Sequence, residues 1–186
     1  LIHRSIKSVK ISVESRFDIL VNNAGMAPTG FVETEDGHES TWHANHLGPV
    51  LLTELLLPLI EKSDEGRIVM VSSGLHKLSP KLDLDAIDTE EGFKGSIDAY
   101  NKSKLANVMF TRDLSRRLKE RGSTIIVNCL HPGAQTSLYL ALSTEVKGMS
   151  GGYYADCKRT TESSNAKDDE ACKKLYDYSF KTVGLA

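Results

Sequence analysis

Long apolar runs, clusters of basic residues and paired cysteines are all scarce in this sequence of 186 residues. No stretch reaches the roughly 18 apolar residues of a membrane-spanning helix, because residues 49–60 are interrupted by Thr53, Glu54 and Pro58. The net charge is −2 and the basic residues form no run, which argues against a nucleic-acid partner. No signal peptide is visible.

Cysteine and histidine are too few and too scattered to indicate a metal site or a disulfide framework. Cys129, Cys157 and Cys172 are odd in number and predict reduced thiols in an intracellular protein. Packing or surface roles are expected for five histidines: His38, His43, His46, His76 and His131. With 40% hydrophobic and 26% charged residues, the chain suits a single globular domain over residues 1–186.

Apolar runs and helical patterns alternate along the chain. Buried parallel strands are predicted at 18–21, 67–71 and 124–129, with a last short strand at 151–154. Helices are predicted at about 37–62 (interrupted at Gly48-Pro49), 97–121 and 169–183. Ser96 or Asp98 is a candidate cap for the second helix, and Gly122 is expected to end it. This alternation predicts an α/β fold with a parallel sheet.

Each of the first three predicted strands is followed by small or polar residues. These are Asn22 onward, Ser72-Ser73, and His131-Pro132-Gly133. Ligands of such sheets bind outside the carboxyl ends of the strands. The three segments are therefore expected to meet at one edge of the sheet and to form a site there.

Tyr100 and Lys104 stand four residues apart at the start of the second helix, so they share one helix face. A nearby ammonium favours the phenolate form of a phenol, which suits acid/base catalysis near neutral pH. A second pair with this spacing, Tyr154 and Lys158, begins in the strand predicted at 151–154. A four-residue step there does not bring side chains together as it does in a helix, so this pair is interpreted as a chance match.

The ordered motifs of the chain resemble those of the short-chain dehydrogenase/reductase family. They are Asn22-Asn23-Ala24-Gly25, Asn45-His46-Leu47-Gly48, Val71-Ser72-Ser73, Tyr100-x-x-x-Lys104 and His131-Pro132-Gly133. The segments 45–57, 103–118 and 151–160 are similar to the retinol dehydrogenase branch.

The resemblance implies roles for these residues. Tyr100 is the implied acid/base acting on the substrate oxygen, Lys104 assists it and holds the nicotinamide ribose, and Ser73 rather than Ser72 bonds the same substrate oxygen. Asn45 is the implied holder of a water that relays protons to Lys104. The implied cofactor contacts are Asn22, Ala24, Gly25, Tyr100, Lys104, Pro132 and Gly133.

Pro49 adds a local argument for Asn45. Because proline has no N–H, the Asn45 carbonyl loses its helical donor and is free to bind a water. The alternative, that Gly48-Pro49 only ends one helix and begins another, stays open. A cap or turn role is the alternative for both serines.

The resemblance implies an oxidoreductase that uses NADP, with NAD as the alternative, to interconvert a hydrophobic alcohol and an aldehyde or ketone of the retinol/retinal type. Pairing with a second copy is left open. The location is expected to be cytoplasmic, or at the endoplasmic reticulum membrane through an N-terminal segment that this sequence does not contain.

Two family features are not found in the sequence. No Gly-x-x-x-Gly-x-Gly turn precedes Asp18, although residues 5–9 resemble the family stretch before that strand. Ala134 to Leu138 follow Gly133 directly, where relatives carry a substrate loop and helix. We therefore expect a partial Rossmann-type, doubly wound parallel sheet that lacks the first βαβαβ half and is internally deleted after Gly133.

These differences leave an alternative function open. Without the phosphate-binding turn, the chain is expected to bind cofactor poorly, and the strand at 18–21 is expected to become a sheet edge. The alternative is a catalytically impaired product, which acts only by pairing with a full-length partner through the Tyr100 helix, or a gene-model fragment.

Overall fold

The computed structural model describes residues 15–186, which form one five-stranded sheet with helices on both faces. Parallel pairing joins β1 to β2, β2 to β3 and β3 to β4, whereas β5 pairs antiparallel with β4. The strands are β1 (Ile19–Asn22), β2 (Arg67–Val71), β3 (Ile126–Leu130), β4 (Tyr153–Ala155) and β5 (Lys158–Thr160). The predicted α/β fold is confirmed; residues 5–9 lie outside the described part.

The strand β5 was not predicted because its turn lacks the usual sequence signal. Asp156 and Cys157 both have positive φ, 49° and 60°. Two-residue hairpin turns of this kind usually carry Asn-Gly or Asp-Gly. An Asp-Cys pair is not a usual hairpin signal, so the sequence predicts no strand after residue 154.

The helices are α1 (Ser40–Trp42), α2 (Gly48–Ile60), α3 (Ser96–Glu120), α4 (Ala134–Leu142) and α5 (Asp169–Thr182). A π-helical turn, His43–Leu47, joins α1 to α2, so the predicted interruption is a widened turn just before Pro49. Such turns are often found at functional sites. The helix α4 had not been predicted.

The ends of α3 are set by two glycines with positive φ. Gly95, with a φ of 111°, precedes the helix, and Gly122, with a φ of 75°, ends it as predicted. Neither candidate cap is used. Ser96 Oγ instead accepts from the Gly30 amide at 3.1 Å, and Asp98 pairs with Lys102 at 2.6 Å.

Alternate strand residues face two separate apolar layers, as a sheet covered on both sides requires. Ile68, Met70 and Val127 pack with α2, α3 and α5, while Val69 and Leu130 pack with α4 on the other face. The large first layer places α3, which carries Tyr100 and Lys104, directly on the sheet.

Within residues 15–186, β1 pairs only with β2 and so forms one edge of the sheet. Val21 on this strand is 40% exposed. In the same part of the chain, no helix has the length and apolarity needed to cross a bilayer.

Candidate active site

The carboxyl ends of β1, β2 and β3 meet, as expected from the polar residues that follow them. Lys104 Nζ donates to the carbonyl of Val71, the last residue of β2, at 3.1 Å. The Gly74 amide, beyond the same strand, donates to Nδ1 of His131 after β3 at 2.9 Å. A Cβ built on Gly25, after β1, would lie 3.1 Å from Lys104 Nζ.

Lys104 is the buried cation of this site, with only 3% of its surface exposed. Its Nζ lies 5.4 Å from the centre of the half-buried Tyr100 ring. Burial lowers the pKa of Lys104 to about 8, since removal from water penalises the charged form. Ser72 Oγ donates to the Lys104 carbonyl at 2.7 Å and thereby ties α3 to the end of β2.

The Asn45 side chain holds the loop after β1 against α3. Its Oδ1 accepts from the Met26 amide at 2.7 Å, and its Nδ2 donates to the Met26 carbonyl at 2.8 Å and to Ser103 Oγ at 3.1 Å. Ser103 Oγ in turn donates to the Tyr100 carbonyl at 2.8 Å. Asn45 is thus linked to both the Gly25 loop and the Tyr100 helix.

The Asn45 carbonyl, which Pro49 leaves without a helical donor, has a side-chain partner. Asn107 Nδ2 donates to it at 2.9 Å. Asn107 Oδ1 bonds His46 Nδ1 at 3.1 Å, and His46 Nε2 bonds Ser179 Oγ of α5 at 2.8 Å. Because a carbonyl has two lone pairs, a second donor can still bind, so the water role of Asn45 stays a prediction.

His46 and Asn107 were missed as functional candidates. His46 is fully buried between Trp42 and Phe110, and burial lowers its pKa to about 4, so the ring is neutral. The available signal was a polar residue, Asn107, within the otherwise apolar segment 105–110 of the helix.

The two serines after β2 have different contacts. Ser73 is the cap of the 3-10 turn Gly74–Leu78, and its Oγ accepts from the Leu75 amide at 3.2 Å. A hydroxyl that accepts this bond keeps its own proton free to donate elsewhere. The cap alternative therefore holds for Ser73, and it is compatible with the predicted bond from Ser73 to a substrate oxygen.

The predicted cofactor residues differ in their exposure to solvent. Ala24, Gly25, Pro132 and Gly133 are all exposed at the carboxyl edge of the sheet. Asn22 differs, because its side chain turns inward and donates to Thr53 Oγ1 and Met70 Sδ, both at 2.9 Å. Its amide group thus braces β1 against α2.

The second Tyr-x-x-x-Lys pair does not form a site. Tyr154 is buried in β4, whereas Lys158 is exposed in β5 and pairs across the hairpin with Ala155. In residues 15–186 there is no group of three His, Cys, Asp or Glu side chains arranged to hold a metal ion.

The chain is similar in sequence to known short-chain dehydrogenases. The family model for short chain dehydrogenases matches residues 2–81. Human retinol dehydrogenase 14 is 38% identical over an alignment covering 97% of this chain and 65% of the relative. The chloroplastic short-chain dehydrogenase TIC 32 B of Brassica napus is 34% identical, with 96% and 69% covered.

The fold is shared with solved structures as well. An uncharacterised protein from Mycobacterium paratuberculosis superimposes with a TM-score of 0.81 at 28% identity, covering 98% of this chain and 70% of that one. The α/β sheet and its carboxyl-edge site define a Rossmann-type protein. The chain belongs to the short-chain dehydrogenase family and is similar to its retinol dehydrogenases.

The chain spans about 65% of the length of human retinol dehydrogenase 14. That alignment runs over 221 positions, whereas 97% of 186 residues is only about 180, which leaves about 40 positions unmatched on this side. The internal deletion expected after Gly133 stays a prediction. In the structure, Gly133 leads directly into α4.

Proposed function

We propose that this chain carries the acid/base half of an NADP-linked oxidoreductase site, with NAD as the alternative cofactor. The substrate class is a hydrophobic alcohol and its aldehyde or ketone, of the retinol/retinal type. The single observation that carries the proposal is the buried Lys104 ammonium beside Tyr100, Asn45 and Gly25.

In this proposal Tyr100 exchanges a proton with the substrate oxygen. Tyr100 is only half-buried, and Lys104 Nζ lies 5.4 Å from the centre of its ring, an arrangement that supports the acid/base role proposed for the phenol. The Ser73 hydroxyl donates a hydrogen bond to the same substrate oxygen. In carbonyl reduction the Tyr100 proton goes to that oxygen, and in alcohol oxidation it returns.

The site residues fit the nicotinamide-ribose part of the cofactor. An ammonium has three N–H donors, and Val71 O is the acceptor seen for Lys104 Nζ, which leaves donors for ribose hydroxyls. The bare Cα of Gly25 faces that nitrogen and lets a ligand approach the backbone. The bound nicotinamide would supply or accept the hydride.

The phosphate part of the cofactor has no such cradle in the sequence, because no Gly-x-x-x-Gly-x-Gly turn is found. Backbone N–H groups at a helix N-terminus supply much of the binding energy for phosphates. We therefore propose weak dinucleotide binding by this chain. Calorimetric titration with NADPH tests this, and micromolar affinity would contradict it.

Substitution of Tyr100 by Phe tests the acid/base assignment. The variant removes only the hydroxyl, so circular dichroism and the melting temperature are expected to stay unchanged while turnover of retinal with NADPH disappears. Because we propose weak cofactor binding by residues 1–186 alone, the same pair is also compared in a version that carries the glycine-rich segment. Normal turnover by the Phe variant would overturn the assignment.

The second candidate is a non-catalytic chain that pairs with a full-length partner through the Tyr100 helix. The structure gives it less support, because α5 packs along α3 and buries Cys172, Leu175 and Tyr176 there. Turnover by the version that carries the glycine-rich segment separates the two candidates, because only the oxidoreductase is expected to convert retinal with NADPH.

A further inference from the structure

Two histidines hold the same peptide unit, the one that joins Ser73 to Gly74. The carbonyl of Ser73 accepts a hydrogen bond from His76 Nδ1 at 2.6 Å. The amide of Gly74 donates to His131 Nδ1 at 2.9 Å. The two polar ends of this peptide plane are therefore hydrogen-bonded to two different imidazoles.

These contacts require opposite tautomers in the two rings. A carbonyl only accepts, so His76 carries its proton on Nδ1, and its Nε2 accepts from the Ser163 amide at 3.2 Å. A backbone N–H only donates, so His131 Nδ1 is bare and its proton lies on Nε2.

The two rings come from different parts of the fold. His76 is fully buried, follows β2 in the same 3-10 turn, and packs edge-on against Tyr153 with ring centres 4.6 Å apart. His131 is exposed and directly precedes Pro132, beyond the end of β3. The peptide after Ser73 is thus fixed from the interior and from the neighbouring strand end.

We propose that His76 and His131 are positioning residues for Ser73. Rotation of the Ser73–Gly74 peptide would change the ψ angle of Ser73 and redirect its backbone relative to Tyr100. Because both ends of the peptide plane are hydrogen-bonded, the backbone of Ser73 is fixed. The Ser73 Oγ is held separately, by the Leu75 amide at 3.2 Å. The catalytic consequence rests on the proposed role of Ser73.

The tautomers provide the first test and require no catalysis. In protein labelled with 15N, ring spectra are expected to show His76 protonated on Nδ1 and His131 protonated on Nε2. The reverse assignment for either ring would overturn the inference.

Matched variants provide the second test. His131→Leu removes the acceptor and is expected to speed hydrogen exchange of the Gly74 amide about tenfold, because a backbone hydrogen bond is lost. His131→Asn offers Oδ1 in place of Nδ1 and is expected to restore protection. His38→Leu, which removes a histidine bonded to Asp88 instead, is the control. Equal Gly74 exchange in the Leu and Asn variants would contradict the inference.

The buried ring is tested with a matched pair of variants, because misfolding would equally explain the effects of His76→Leu alone. His76→Asn retains a side-chain N–H donor for the Ser73 carbonyl, whereas His76→Leu retains only the backbone N–H of residue 76, which donates to that carbonyl at 3.2 Å. Slower Gly74 exchange and a higher melting temperature in the Asn variant support the inference; no difference between the two overturns it.

Turnover then separates this inference from the proposed function. In an active protein, the Leu variants are expected to lose kcat at least tenfold with little change in KM, since small misplacements of reacting groups are costly. Unchanged kcat would overturn the positioning role. If the version that carries the glycine-rich segment has no turnover without these substitutions, the proposed function fails, and the tautomers and Gly74 exchange alone decide the inference.

Discussion

Asn107 Nδ2 donates to the backbone carbonyl of Asn45 at 2.9 Å, which joins the Tyr100 helix to the π-helical turn. Both residues are buried, and Asn107 Oδ1 also accepts from His46. The turn that presents Asn45 to the site is therefore held by a side chain three residues after Lys104.

Asn107→Leu is expected to destabilise the protein by about 2–4 kcal/mol, because two buried partners lose their hydrogen bonds. Asn101→Leu is the matched control on the same helix. Asn101 is also buried, but among residues 15–186 its Oδ1 has no hydrogen-bond partner, so its loss is expected to cost little. Chemical unfolding of both variants checks this. Equal losses of stability in the two variants would contradict the role of the Asn107 hydrogen bonds.

His46 is expected to make the fold acid-sensitive. Its pKa is about 4 when folded and 6.5 in the unfolded reference, so between these values the unfolded chain binds a proton that the folded chain refuses. Its stabilising contribution is present above pH 6.5 and is lost as the pH falls toward 4, by about 3 kcal/mol in total.

The contribution of His46 is isolated by comparison with His46→Gln, because burial also lowers the pKa of His43 and His76. Unfolding free energies of both proteins are measured from pH 7 to pH 4. As the pH falls, the unfolding free energy of the Gln variant is expected to increase relative to that of the unsubstituted protein. A difference independent of pH would show that His46 is not the titrating group.

Lys104→Met is expected to abolish turnover and yet stabilise the fold near pH 7. Burial lowers the Lys104 pKa from 10.5 to about 8, which corresponds to an upper limit of about 3 kcal/mol. Loss of the bond to Val71 offsets about 1 kcal/mol of this gain. A group so costly to bury is more readily explained by function than by stability.

The pH dependence of the Lys104 effect has a definite sign. Between pH 8 and 10.5 the unfolded chain keeps a proton that the folded chain has lost, so the stability of the unsubstituted protein rises with pH there. The advantage of the Met variant is therefore expected to shrink across this range. Thermal melts at several pH values check this, and a Met variant that is less stable throughout would contradict it.

Val21→Lys is expected to reduce self-association, because a charge on an edge strand opposes pairing with another chain. Val21 lies on β1 and is 40% exposed, so its replacement is expected to change stability by less than about 0.5 kcal/mol. Val32→Lys, at a position 48% exposed and outside the named strands, is the control. Light scattering at rising concentration compares the variants, and an equal effect of both would exclude the edge as the cause.

Local pattern was sufficient for most of the secondary structure. Apolar runs located β1 to β3, the short strand predicted at 151–154 corresponds to β4, and helical periodicity located α3 within one residue at each end. Local pattern did not predict α4, which follows Gly133 without a capping side chain. It also did not predict β5, because the Asp156-Cys157 turn lacks the usual hairpin sequence. Such segments depend on contacts with the sheet more than on their own composition.

Local sequence patterns were enough to establish the family, the parallel sheet and the location of Tyr100, Lys104, Ser73 and Asn45 near one edge, because strand ends and helix spacing are local properties. The groups that hold these residues became visible only in the folded chain: Asn107 and His46 behind Asn45, and His76 and His131 around Ser73. Asn107 and His131 lie on other elements, far along the chain from Asn45 and Ser73. A hydrogen bond between elements is fixed by packing and not by spacing.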